Sequence, residues 1–172
     1  GAGGRFHARR GEEVQRAHAQ ARHQDHGLTR VNLQGLLAPR SVAIVGASAE
    51  PKKISGMILE FLLSSGYAGR VYPVNPREAG NQILGQHCYA DLASLKVALD
   101  QPIHMVDIFR SSDAALAVTE EAIAIGATVV WMQLEIVNDR AAQLAEAAGI
   151  KVVMNRCPKI ELEQPYWTGI PV

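Results

Sequence analysis

The segment Gly46-Ala-Ser-Ala-Glu-Pro-Lys-Lys-Ile-Ser55 sets a glycine, a hydroxyl at Ser48 and the adjacent cations Lys52 and Lys53 within a few residues of one another. Glycine permits a tight turn, and a helix that starts just behind such a turn offers N–H groups to an anion. The combination suits a phosphate or pyrophosphate. It is not the dinucleotide fingerprint. In a Gly-x-Gly-x-x-Gly frame begun at Gly46, Ser48 stands at the second glycine and Pro51 at the third. The plainer alternative is a glycine that only turns the chain, with solvated lysines beside it. Two lysines at the start of a helix favour the phosphate.

Three more short segments carry polar groups just after apolar runs. In Val74-Asn75-Pro76-Arg77 no acid precedes Glu78. Folds that bind NAD place Asp or Glu near this point to hold the ribose 2′-OH. Arg77 suggests instead an extra phosphate on the ribose, as in NADP or coenzyme A, against the alternative of a plain surface arginine. Asn75-Pro76 is in its own right a turn initiator. In Phe109-Arg110-Ser111-Ser112 an aromatic ring and a cation directly follow an apolar run and precede a helix start. Phe109 has core packing as its alternative. Gln133, after Trp131-Met132, suits a ligand amide or a helix cap.

The residues of catalysis are not grouped. His-Glu-x-x-His, Cys-x-x-Cys and Gly-x-Ser-x-Gly are absent. His87 and Cys88 adjoin without a second spaced pair, so no metal site is expected. His104 and Asp107 lie within a strand and read as hydrogen-bonded structural groups. Cys157 follows Arg156, whose charge would favour a thiolate. A partly buried, inert cysteine explains the same residues. No catalytic residue is assigned.

These segments need elements to position them. Ser41–Gly46, Arg70–Val74, Ile103–Phe109, Ala127–Gln133 and Ile150–Met154 read as five short apolar strands. Pro73 fits the second of these only at an edge or a strand end. Ile54, Met57, Ile58, Phe61 and Leu62 mark one face of a helix closed by Gly66. Ser111, Ser112 or Asp113 caps a helix running to Ile125, and Asn138 caps another ended by Gly149. Asn75–Tyr89 reads as loop, and the chain after Pro158 has no clear period. Leu28–Leu37 suits one or two helical turns, and Glu12–Gln24 a partial helix. Continuously apolar strands alternating with helices signal a parallel sheet covered on both faces. The expected fold is α/β: a doubly wound, Rossmann-like parallel sheet of five strands, order 3-2-1-4-5, with helices on both faces. Ligands sit outside the carboxyl ends of such strands. That places the segments beginning at Gly46, Val74, Phe109 and Gln133 around one mouth.

Composition excludes several classes. Of 172 residues, 48% are apolar and 20% charged, ordinary for a globular protein. No run approaches the ~20 apolar residues of a membrane span. Two cysteines are too few for a disulfide scaffold, and no secretion signal is read, so the expected compartment is the reducing cytoplasm. Seventeen bases against seventeen acids exclude a generally basic nucleic-acid coat. The balance conceals an asymmetry: residues 1–30 carry six arginines and three acids, a net +3, and the rest carries −3. An Arg/His-rich extension over 1–27, a domain over 28–163 and a tail over 164–172 are expected. The extension reads as a loose attachment without function of its own, against a nucleic-acid or transit arm.

Several ordered motifs then resemble a family. They are Val45-Gly-Ala-Ser-x-x-Pro51, Pro73-Val-Asn-Pro76, Val106-Asp-Ile-Phe-Arg110, Glu121-Ala-Ile-x-Ile-Gly-Ala127, Trp131-Met-Gln133 and Arg156-Cys-Pro158. Together, over about Leu28 to Glu163, they look like the stand-alone bacterial CoA-binding proteins. These are similar to the nucleotide-binding domain of the succinyl-CoA synthetase alpha subunit. The resemblance implies coenzyme A or an acyl-CoA as a small-molecule nucleotide ligand, with the glycine loop on its phosphates. It implies contacts at Gly46, Ala47, Ser48, Lys53, Ser55, Asn75, Pro76, Phe109, Arg110 and Gln133. There are departures. Lys53 stands where the family often has Arg, Asn155 where Asp is usual, and Leu134-Glu135 where a glycine is common. The synthetase uses a phosphorylated histidine in a second domain, and this chain ends before one. The expectation is therefore binding without enzymatic activity, with no nucleic-acid or membrane partner and with an oligomer left open. An NADP-type oxidoreductase domain is the alternative.

Overall fold

A computed structural model describes residues 40–50 and 52–162. The expected extension over 1–27, the helical turns at 12–24 and 28–37 and the tail over 164–172 lie outside the described residues.

Five strands form one parallel sheet: β1 (Ser41–Val45), β2 (Arg70–Val74), β5 (Met105–Ile108), β6 (Val129–Met132) and β7 (Lys151–Val153). A small antiparallel ribbon pairs β3 (Gln82–Ile83) with β4 (Gln86–His87). The helices are α1 (Ile54–Ser64), α2 (Leu92–Ala98), α3 (Ala115–Ala124), α4 (Asp139–Ala147) and α5 (Pro158–Leu162). A 3-10 turn over Ser112–Ala114 leads into α3.

The fold class is the one expected, but the strand order is not. The sheet runs β2-β1-β5-β6-β7, which is 2-1-3-4-5 when only its own strands are counted. The third sheet strand lies beside the first, not beyond the second. Pro73 gives a physical reason. Its carbonyl accepts from Tyr89 N–H at 3.0 Å on the outer side of β2. In a strand a residue's N–H and C=O point the same way, so the donor that proline lacks also faces outward. The order 3-2-1-4-5 would have put that gap inside the sheet; the observed order puts it at the edge.

Strand register levels the ends that matter. Val45 pairs with Val74 on one side and Ile108 on the other, and Ile108 pairs with Met132. The segments that begin at Gly46, Asn75, Phe109 and Gln133 therefore leave the sheet at one height. One face buries Ala43, Val45, Val106, Ile108, Val130 and Met132 against Leu92, Leu95, Val118 and Ala145 of the helices. Alternation turns Val42, Ile44, Met105, Asp107 and Trp131 to the opposite face, that of α1 and α5. Right-handed crossovers require this split, because β1 to β2 and β5 to β7 advance in opposite directions.

Local details depart from expectation. In α1 the buried positions are Ser55, Gly56, Ile58, Leu59 and Leu62, whereas Ile54 and Met57 are exposed. The expected loop over Asn75–Tyr89 contains the β3–β4 ribbon, turned by Leu84 and Gly85 at φ 49° and 78°. The unforeseen α2 starts at Asp91, whose side chain accepts from Ser94 N–H at 2.7 Å. Pro158 opens α5 at the first helical position, where its missing N–H costs no bond. Asn138 caps α4 as expected, accepting from Ala141 N–H at 2.9 Å. Among the described residues no helix is long and apolar enough to cross a membrane.

Candidate functional site

Gly46 stands where β1 ends, with φ +91°, and its N–H donates to Val74 O at 2.8 Å. A Cβ there would lie 2.5 Å from the Phe109 carbonyl oxygen and 3.2 Å from Cδ of Arg110. Glycine is thus required twice, by the backbone angle and by the approach of the neighbouring strand end. This junction between β1 and β5 is the point where the winding of the sheet reverses. Open α/β sheets bind their ligands at such a point.

Asn75 joins the first two segments. Its Nδ2 donates to Ala47 O at 2.7 Å, and its Oδ1 accepts from Arg77 N–H at 3.0 Å. The first bond holds the glycine loop and the second closes the turn through the exposed Pro76. Asn75 therefore positions the loop, and Arg77 is held exposed beside it. Ser48 accepts from Glu50 N–H at 3.1 Å, leaving its own O–H to donate. Helix α1 follows at once. Its first intrahelical bond runs from Met57 N–H to Lys53 O, so the N–H groups of Ile54, Ser55 and Gly56 have no acceptor within the helix. Lys53 is the capping residue and makes no side-chain cap bond. Lys52 and Lys53 are both exposed.

Gly56 was not foreseen as part of the site. A Cβ there would lie 2.8 Å from Ser48 O and 3.2 Å from Glu50 O. Its absence lets the loop lie directly on the first turn of α1. A glycine inside an otherwise apolar helical run, at a cost of about 1 kcal/mol relative to alanine, was the available signal.

Phe109 and Arg110 complete the mouth. Phe109 is half-buried, its N–H bonded to Val45 O at 2.8 Å, and Arg110 is exposed. Ser112 ties the third segment to the fourth, donating to Glu135 O at 3.4 Å and accepting from Val137 N–H at 3.0 Å. Gln133 directly follows the end of β6. It is buried, and its Nε2 donates to Asp107 Oδ1 at 2.7 Å. A carboxyl shut off from water needs that donor, so the amide serves the sheet interior. Asp107 is fully buried, and burial pushes its carboxyl up to about 8, with the Gln133 bond opposing in part.

The Arg156-Cys-Pro corner crosses the end of β6. Trp131 Nε1 donates to Arg156 O at 2.7 Å, and Arg156 N–H reaches Met132 O at 3.4 Å. The expected help from Arg156 to a Cys157 thiolate does not occur. The guanidinium pairs with Glu161 at 3.1 Å, and burial raises the thiol, against hydrogen bonds from Ile160 and Lys159 that lower it. Two departures from the family pattern prove to be coupled. Glu135 and Asn155 both adopt left-handed backbone, at φ 68° and 58°, and Asn155 Oδ1 accepts from Glu135 N–H at 2.7 Å. Asparagine tolerates that conformation better than most residues, and glutamate gains a bond there in place of a glycine's freedom. Elsewhere, His104 Nδ1 lies 3.0 Å from Ser41 Oγ, a structural contact at the other end of the sheet. Among the described residues no three His, Cys, Asp or Glu side chains gather as metal ligands.

A family model described as a CoA binding domain matches residues 40–163. The chain is 32% identical over 121 residues to the uncharacterized protein YneT of Bacillus subtilis (strain 168), covering 70% of this chain and 84% of that protein. It is 43% identical over 56 residues to the ADP-forming acetate–CoA ligase I subunit alpha of Pyrococcus furiosus, covering 33% of this chain and 12% of that subunit. A solved structure of a hypothetical protein from Pyrococcus horikoshii OT3 superposes with a TM-score of 0.70 at 35% identity, over 80% of this chain and 92% of that one.

Proposed function

The chain belongs to the CoA binding domain family, and from that premise we propose that it binds coenzyme A or an acyl-CoA with the phosphates on the glycine loop. The observation that carries this reading is Gly46. Its missing Cβ lets the β1 and β5 ends close up beside a helix start whose first N–H groups lack intrahelical acceptors. These residues fit a pyrophosphate group: backbone donors and the α1 dipole favour negative charge, and Lys52, Lys53 and Arg110 bring cations to the rim. Arg77 beside the second segment suits a further phosphate on the ribose. Ser48 and Ser55 offer hydroxyls, and Asn75 holds the loop in shape. Bound coenzyme A supplies a terminal thiol or thioester; the protein's own residues bind and orient it.

Binding without catalysis is part of the proposal. The chain spans 84% of YneT and 92% of the Pyrococcus horikoshii protein, so those relatives carry little besides this domain. The match to the ligase subunit covers only 12% of it, and that enzyme's activity is not carried over. The NADP alternative has Arg77 in its favour, whereas the family match over residues 40–163 is to a CoA binding domain.

A thermal-shift comparison of coenzyme A with NADPH tests the proposal. At a hundredfold excess over Kd, one coenzyme A site adds about 2.7 kcal/mol of stability. Melting should rise with coenzyme A and stay unchanged with NADPH. The reverse pattern overturns the assignment.

A further inference from the structure

Glu135 is the first exposed residue after β6, and its backbone is left-handed at φ 68°. That conformation is unfavourable for a residue with a Cβ, whereas glycine adopts it freely. Neighbouring bonds enforce it. Glu135 N–H donates to Asn155 Oδ1 at 2.7 Å, and Glu135 O accepts from Ser112 Oγ at 3.4 Å. Ser112 Oγ also accepts from Val137 N–H at 3.0 Å, and Ser112 O accepts from Asn138 Nδ2 at 2.8 Å. The segments after β5, β6 and β7 thus hold one residue in place. Its carboxylate makes no hydrogen bond or ion pair among the described residues. An enforced, unfavourable backbone that presents an exposed and unpartnered charge points to a role outside folding.

We propose that Glu135 determines acyl-group specificity, admitting neutral acyl groups on coenzyme A and repelling those that end in a carboxylate. The inference rests on the phosphate placement proposed above. That placement sets the ribose phosphate beside Arg77, after β2, and the pyrophosphate at Gly46 and the start of α1, after β1. On the other side of β1 the sheet continues with β5, β6 and β7. Coenzyme A is a linear molecule whose pantetheine arm leaves the pyrophosphate on the side away from the ribose. The arm accordingly runs past Phe109 and across the ends of β5 and β6. Two strand spacings, about 10 Å, separate β1 from β6. The extended arm exceeds that span, so its acyl end arrives at Glu135. Like charges about 4 Å apart in water repel enough to change affinity about fivefold, and more where water is excluded. Arg110, exposed on the segment after β5, carries the opposite charge, and an acyl carboxylate drawn to it would reverse the preference.

Calorimetric titration with coenzyme A, acetyl-CoA and succinyl-CoA at low salt tests this. The wild type should bind acetyl-CoA about fivefold or more tightly than succinyl-CoA, and added salt should narrow the gap. Glu135→Gln keeps the side-chain size and removes the charge. Glu135→Gly removes the charge and relieves the backbone. In both variants the discrimination should disappear. A merely structural Glu135 would shift both acyl-CoAs alike and leave their ratio untouched. Either variant decides, so the test stands if one of them fails to fold. Equal affinities in the wild type overturn the inference, as does a preference for succinyl-CoA or a discrimination that survives loss of the charge. Coenzyme A bound without acyl discrimination leaves the phosphate placement standing; failure of all three ligands to bind removes that placement and the inference with it.

Discussion

Burial, not a neighbouring charge, holds the Asp107 carboxyl neutral, and stability should record it. The carboxyl rises from an ordinary 3.8 to about 8 in the folded chain. Between those values the unfolded chain has lost the proton while the folded chain keeps it. Stability therefore falls as pH rises through this window, by at most about 1.4 kcal/mol per pH unit, and levels off above about 8. Asp107→Asn has no proton to lose, so its stability should change less between pH 5 and pH 8, and its advantage over the wild type should grow with pH. Denaturant melts at several pH values measure this; parallel curves for the two proteins would refute it. At this scale the site was partly legible. Gly46, Arg110 and the lysines stand out because they directly follow a strand or open a helix. Gln133 reads the same whether it faces a ligand or a carboxyl, and only the pairing of β5 with β6 brings Asp107, 26 residues earlier, beside it.

Helix α1 shows why elements are read more easily than their faces. Its period predicts a helix, but the buried side includes Ser55 and Gly56 and leaves Ile54 and Met57 exposed. The loop that covers its first turn decides this, and loop packing leaves no periodic trace. Alanine is intrinsically better than glycine in a helix by about 1 kcal/mol. Even so, Gly56→Ala should not gain stability, because its Cβ would meet Ser48 O at 2.8 Å and push the glycine loop off the helix. Affinity for coenzyme A should drop together with the melting temperature. A more stable Gly56→Ala protein with unchanged affinity would show that the close approach is unimportant. Strand identity was legible from five apolar runs, whereas strand order is a nonlocal choice that those runs do not encode. Pro73 was the local clue, since the observed order, unlike 3-2-1-4-5, leaves it at an edge. The β3–β4 ribbon escaped because its turn uses Leu84 at positive φ, a residue with no turn preference.

Over the whole chain, charge and family match divide in the same way. The family model begins at residue 40, and the net +3 lies within residues 1–30. Deleting residues 1–27 should leave melting temperature and coenzyme A affinity nearly unchanged; a marked loss of either would assign that tract a structural or binding role. The central claim, that the glycine loop and the start of α1 hold the phosphates of coenzyme A, is tested most directly by calorimetric titration of the wild type and Lys53→Ala side by side. Lys53 is exposed and makes no cap bond, so its removal should change unliganded stability by less than about 0.5 kcal/mol. A charge-assisted hydrogen bond is worth roughly 1.5–3 kcal/mol, so the variant should bind coenzyme A about ten- to a hundredfold more weakly than the wild type. Equal affinity in the two proteins, or no binding by the wild type, would contradict the account.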